Sequence, residues 1–450
     1  MRVTTSDGST NISFDRGALS HDERVLLVHP QSSGPNWVAI ATITTSDMVL
    51  REDNWLKFTS DNIFGPELNE IKAHPTNNGI FYGVGYQQDY IGSIFTGLVV
   101  EFQLHDTYLI SVIRVVKLNS GFTLSGSSKG WVSLDFDSTS DHLILSGIFA
   151  NSSQVYSSIV SINKELTTFN WMKYFEKTSA SSLNIEMDQI DSHYHQASNS
   201  VLVILHTKND DPFNSFNIIN VFKFNMTDGT LQWSIQFRDY AGGSFGDVHS
   251  IVNPSYDELV LFYTNNQYDY YHTQSISISD GSMLTNMQIE VLYHYALEGI
   301  AVFPSQISGL DSDDVLMTAV DGYIMKINTR KANLGIVDST NQTRPLIDIH
   351  YDNYSLPLTV PLDVEVLDYS PASDFFQEET GYEMIDFGYT YNHEDNPTLS
   401  DATEMVINFE NTNEVVNSPN DASFILSQPT VSDSLSNETV TMTLELFNSE

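Results

Sequence analysis

Apolar and polar residues alternate in short runs along most of this chain. The stretch VFKFNMTDGTLQWSIQF at 221–237 sets Phe222 and Phe224 against Lys223 and Asn225, breaks at the turn TDGT, and resumes with a run carrying Trp233. A period of two is the mark of a strand buried on one face, and two such runs around an Asp-Gly turn make a hairpin. Residues 159–175, IVSINKELTTFNWMKYF, repeat the pattern, with Trp171 where Trp233 stands. Weaker relatives occur at 38–58, 98–116, 275–291 and 323–339. Upstream of each copy a polar turn leads into a β-rich run beginning at Val25, Ile80, Leu143, Val201, Leu259 and Val315, spaced by 55, 63, 58, 58 and 56 residues. A further short strand precedes most of these turns, as in GWVSLDF and EMDQID. No segment sustains a helical period.

Four short strands repeated at this spacing predict an all-β chain whose residues 1–340 form a β-propeller. Six blades follow from the count, with seven as the other arrangement. Trp171 and Trp233 are expected to pack between blades. The hairpin, with its Asp-Gly turn and following Trp, resembles the blade signature of extracellular and cell-surface propeller repeat proteins and of quinoprotein-like repeats. The sialidase Asp-box is not met, because Asp228 and Gly229 are adjacent.

After Ser339 the composition changes. Pro345, Pro357 and Pro361 make 341–362 read as a linker. The alternating runs that follow, near 100 residues with Asn, Asp, Ser and Pro between them, predict a C-terminal β-sandwich at 363–450 of immunoglobulin or cadherin-like class. Residues 351–450 hold 20 Asp or Glu and no Lys or Arg. The density of Glu378, Glu379, Glu383 and Asp386, and of Glu394 and Asp395, nominates them as ligands for Ca²⁺, which takes six to eight oxygens. A solvated acidic face is the competing reading.

Charge narrows the partners. With 58 acidic and 19 basic residues the net charge is −39, which repels nucleic acid and anionic lipid. The chain has no cysteine, which removes disulfides, thiolate metal sites and cysteine nucleophiles. No run approaches the roughly 20 apolar residues of a membrane span, so no direct membrane insertion is expected. MRVTTSDGSTNISF lacks the apolar core of a signal peptide, so the expectation is either a cytosolic protein or a secreted chain already processed or trimmed.

Candidate chemistry is sparse. No nucleophile elbow, phosphate-binding loop, dinucleotide fingerprint or zinc-protease motif occurs. His193 and His195 stand two apart, with Asp188 and Asp191 near them; a metal pair and a polar turn at a blade edge are the two readings. Tyr268, Asp269, Tyr270, Tyr271 and His272 read as an aromatic loop for surface packing or glycan stacking, and DSDD at 311–314 as a turn. Sequons for N-linked glycans stand at Asn11, Asn151, Asn225, Asn341, Asn353 and Asn437.

These features together predict an extracellular structural glycoprotein that self-assembles into a filament, sheath or adhesive coat, without catalysis. The alternative is a propeller glycosidase or lyase with a carbohydrate-binding sandwich, which would gather charged residues with shifted pKa values on one rim of the propeller axis. An intracellular scaffold is a third reading, poorly matched to a charge of −39.

Overall fold

The computed structural model describes residues 3–4 and 11–12, most of 14–337 apart from stretches between strands, and 364–369 and 374–386. Among the described residues, six antiparallel sheets, each built on four strands in chain order, follow one another, the first also holding the two-residue strand Ser33–Gly34. Blade 1 is built from Phe14–Leu19, Val25–Pro30, Trp37–Thr44 and Leu50–Phe58, and blade 2 from Ile63–Ala73, Ile80–Asp89, Ile94–Leu104 and Ile110–Leu118. Blade 3 comprises Gly130–Phe136, His142–Ala150, Val155–Asn163 and Phe169–Lys177; blade 4 comprises Ile185–His195, Ser200–Asn209, Asn217–Asn225 and Leu231–Asp239. Phe245–Asn253, Glu258–Asn265, Tyr270–Ser277 and Met283–Glu290 make blade 5. Leu297–Val302, Asp314–Ala319, Tyr323–Asn328 and Leu334–Val337 make blade 6. The first strands of successive blades touch one another, so each blade's first strand is innermost and its fourth outermost. This is a β-propeller, and the second strands begin within one residue of the positions set by the sequence repeat.

The hydrophobic core lies between sheets. Tyr82, Val99 and Val116 of blade 2 pack on Trp131, Leu134 and Phe149 of blade 3. Phe175 of blade 3 meets Phe222 of blade 4 with ring centres 4.9 Å apart. Blades 1 and 2, and blades 4 and 5, share equivalent layers. Central strands are therefore covered on both faces, and Val201 to Leu205 are all buried. The half-buried reading of the opening hairpin needs correction here. Lys223, the polar side of that alternation, is itself buried and donates from Nζ to the Ile278 carbonyl at 2.9 Å. Burial lowers its pKa, with Asp257 partly opposing the shift.

One device joins the blades near the turns between their third and fourth strands. In blades 1 to 5 the ladder between those strands carries a β-bulge close to the turn. The bulge adds a residue and redirects the side chain that follows it. In blade 3 that side chain is Trp171, whose indole N–H donates to the Met226 carbonyl in the turn of blade 4 at 2.7 Å. In blade 4 it is Trp233, donating to Ile278 of blade 5 at 3.1 Å. In blade 2 it is Arg114, whose guanidinium donates to Glu101 at 2.6 Å and to the Lys164 and Glu165 carbonyls of blade 3. The tryptophans thus sit between blades, as their repeat positions predict. Gly229, in the blade 4 turn at φ +67°, lies against the Trp171 ring; a Cβ there would stand 2.7 Å from it. Both its backbone angle and its neighbour demand glycine.

The C-terminal segment departs from expectation. Val364–Asp368 pairs antiparallel with the outermost strand of blade 3, Phe376–Glu379 with that of blade 2, and Tyr382–Asp386 with that of blade 1. The described part of the stretch assigned to a sandwich is therefore a belt of fifth strands running back across three blades, opposite to blade order. Residues 387–450, the rest of that assignment, lie outside the described residues, as does the linker at 341–362. Val364 and Phe375 are buried against the propeller. The ring of Phe375 meets Phe169 at 6.1 Å and Phe376 at 4.8 Å. Each crossing carries an ion pair with a lysine of the propeller: Lys173 with Asp368, Lys117 with Glu379, and Lys57 with Glu383.

Candidate functional site

Among the described residues, the innermost strands bring several charged side chains together. Glu70 and Lys72 on blade 2, Ser133 and Asp135 on blade 3, and Asp191 and His193 on blade 4 each stand two residues apart, so each pair shares a face of its strand. Lys72 Nζ lies 3.6 Å from Glu70 and 3.5 Å from Asp135 on the next blade. Asp191 accepts from Ser133 Oγ at 2.8 Å and from Ser250 Oγ of blade 5 at 2.6 Å. His193 Nε2 lies 3.2 Å from the same carboxylate and 2.7 Å from Ser250 Oγ. Four consecutive blades therefore meet in one polar chain. Beside it, the first strands of blades 1 and 2 line a cleft of about 340 Å³ formed by residues 17–19 and 70–73.

The electrostatics push these groups apart. Burial raises the pKa of Glu70 above the ordinary glutamate value, reinforced by Asp191 and Asp135 and opposed by Lys72. For Asp191, burial is outweighed by His193 and the two serine hydroxyls, which hold the carboxyl well below its usual range. Burial opposes charge on Lys72 and His193 as well. Asp135, Glu70 and Asp191 keep the ammonium well above its ordinary value, and Asp191 lifts the imidazole above 6.5. A carboxyl whose pKa is raised close to one whose pKa is depressed is the arrangement that acid–base chemistry draws on. Yet carboxylates of this cluster also hold backbone: Glu70 accepts the Leu134 N–H of blade 3, and Asp135 accepts the Tyr194 N–H of blade 4 at 2.6 Å. Their first role is to stitch adjacent blades.

The cluster makes a pH prediction. His193 is raised in the folded state, so its stabilisation is complete below its unfolded pKa near 6.5 and is lost as pH rises through the folded value. Asp191 is depressed, so its contribution is complete above about 4 and is lost as pH falls. Glu70 is raised and weakens the fold as it ionises. Stability is expected to peak at mildly acidic pH and to decline from there toward pH 8. His193→Asn should flatten that decline in thermal melts taken across the range; an unchanged slope would remove His193 as its source.

The residues singled out in the sequence fall in different places. His195 leaves the axial chain: its Nε2 is 3.0 Å from Asp257 and its Nδ1 2.8 Å from Ser198. Asp188 lies 3.3 Å from His206. The proposed histidine pair is therefore split, and His193 belongs to the axial network rather than to a blade-edge turn. The aromatic loop is partly strand, with His272 buried and stacked on Tyr263 at 4.9 Å, while Tyr268 and Asp269 lie outside the described residues. Asp314 opens a strand of blade 6; 311–313 are outside the described residues.

Among the calcium candidates, Glu378 and Glu379 sit on the fifth strand of blade 2, and Glu383 and Asp386 on that of blade 1. Two blades share them, and Lys117 and Lys57 neutralise Glu379 and Glu383; Glu394 and Asp395 lie outside the described residues. No group of three or more His, Asp or Glu side chains converges as a metal site among the described residues. Of the sequons, Asn225 ends the third strand of blade 4 at the turn, half-buried, its side-chain oxygen accepting the Thr227 N–H at 2.8 Å. Asn11 opens a two-residue strand paired with Val3–Thr4. Asn151, Asn341, Asn353 and Asn437 lie outside the described residues. The axial chain itself was missed by sequence reasoning, although superposing the repeats stacks charged or hydroxyl pairs at one position of three first strands.

No family model matches the chain, and no curated protein matches it. Among solved structures it is similar to the β-propeller domain of Cps50 (Swd1) from Myceliophteria thermophila, at 11% identity and TM-score 0.40, covering 70% of this chain and 82% of that one. It is similar to Sqt1 from Saccharomyces cerevisiae at 10% identity and TM-score 0.42, covering 72% and 84%. A third similar structure is the Dos1 propeller, at 9% identity and TM-score 0.42, covering 72% of each chain.

Proposed function

We propose that this chain is a non-catalytic structural glycoprotein of an extracellular surface, a unit of a filament, sheath or adhesive coat that self-assembles through strand contacts. The observation that carries the reading is the belt. Three successive blades accept an extra strand at their outer edges by main-chain pairing, the interaction that builds polymers from sheet proteins. A surface of charge −39 suits a hydrated layer rather than contact with nucleic acid. Negative-stain microscopy of the native protein at rising concentration tests it: filaments or sheets are expected, and monodisperse single particles throughout would refute assembly. Peptide mapping of native material tests the glycoprotein part. Asn225 and Asn151 should carry glycans, and both asparagines unmodified in a protein glycosylated elsewhere would count against it.

A second reading, a glycosidase or lyase, is favoured by the axial cluster alone. It predicts binding of an oligosaccharide at the cleft beside Glu70 and Lys72, lost in Lys72→Met. Calorimetric titration with neutral and acidic oligosaccharides that shows no heat would leave the cluster its stitching role.

A further inference from the structure

We infer that the belt is an exchangeable element, and that its strands Val364–Asp368, Phe376–Glu379 and Tyr382–Asp386 of one copy can occupy the outer edges of blades 1 to 3 of a second copy of this chain. The inference rests on the assembly reading above and names its contact surface. The belt's attachments are of a kind that works equally within or between chains. They comprise antiparallel main-chain ladders on three blades, sockets for Val364 and Phe375, and the ion pairs with Lys173, Lys117 and Lys57. None of these contacts depends on which chain the belt comes from.

The connection is long enough to permit either route. Val337 ends the last strand of blade 6, and Val364 begins the belt on blade 3, so the 338–363 stretch between them can reach at most on the order of 90 Å when fully extended. Such a tether keeps the chain's own belt at an effective concentration of roughly millimolar. In dilute solution each belt therefore returns to its own propeller. Chains packed side by side in a layer present their belts to one another at comparable concentration, and exchange then competes without any new contact being required. Each propeller that gives up its belt receives another, so no edge stays bare, and a head-to-tail contact propagates unless its rotation closes a ring. The opposing influence is the repulsion between copies of charge −39, which salt screens.

The absence of cysteine makes the test clean. Lys173 and Asp368 are direct partners in the ladder, as are Lys57 and Glu383. Differently tagged full-length chains, one bearing Lys173→Cys and the other Asp368→Cys, are mixed at micromolar and at millimolar concentration in about 1 M salt, where the Debye length is about 3 Å, and then oxidised. A covalent heterodimer at millimolar concentration only, with the double variant bridged within single chains at micromolar, is the expected result. The Lys57→Cys and Glu383→Cys pair repeats the measurement should the first pair disturb folding. Bridging within single chains alone at both concentrations, from either pair, overturns exchange. Bridging from neither pair overturns the belt register and the inference with it. If the double variant, locked within its own chain, still forms native assemblies, exchange falls while the assembly reading stands; if unmodified chain never assembles, that reading falls separately.

Discussion

Trp171→Ala is expected to destabilise the propeller by about 4 kcal/mol, in the range for deleting a large buried aromatic side chain. The indole is only 6% exposed, meets the Phe224 ring at 6.2 Å and covers Gly229 in the turn of blade 4. Its loss opens a cavity at the seam of blades 3 and 4 and strands the Met226 carbonyl. Trp171→Phe retains most of the packing and forfeits the hydrogen bond, so a cost of about 1–2 kcal/mol is expected from the unpaired carbonyl. Denaturant unfolding at constant slope measures both. Equal costs for the two variants would show that the hydrogen bond to Met226, lost in both, and not the packing holds this seam. A cost below about 1 kcal/mol for the alanine variant would refute the lock.

Phe375→Ala is expected to cost about 3–4 kcal/mol, and its effect should be regional. Phe375 is 1% exposed, fixed between the rings of Phe169 and Phe376, and its carbonyl accepts the Asn119 N–H at 2.8 Å. Hydrogen exchange should accelerate across 364–386 and the outermost strands of blades 2 and 3, while the central strands of blades 4 and 5 keep their protection. Uniform acceleration in all blades would mean that the belt is part of one global unit instead of a local fastening.

Much of the propeller was legible because its information is local and repeated. The onsets at Val25, Ile80, Leu143, Val201, Leu259 and Val315 coincide with second strands, and the hairpin turns fall where Asp-Gly and its substitutes stand. Two things were not legible. The alternation of VEVLD at 364–368 is the same whether the strand joins a new sandwich or an existing sheet, since a period of two states which faces are apolar and not which strand lies alongside. The available signal was electrostatic: a segment with no basic residue, and lysines at 57, 117 and 173 on the outermost strands of the blades it covers. Lys223 shows the second limit. A charged side chain in an alternating run reads as solvent-facing, whereas between packed blades it is buried with its head on a neighbouring carbonyl. The axial chain has a related cause, for Glu70, Asp135 and Asp191 are separated by some sixty residues each and meet only through the radial arrangement.

The retrograde order of the belt sets a clock on biosynthesis. The outer edge of blade 2 is complete at Leu118, but its covering strand begins at Phe376. At about 5–20 residues per second, translation leaves that edge waiting on the order of 13–50 s, and the edge of blade 1 longer still. A bare strand edge in a crowded nascent state is an aggregation hazard, and lysine is a residue that natural sheets place there as a guard. Lys57 and Lys117 therefore serve twice: first as unpaired charges that repel stray strands, and later as the partners that accept the proper one.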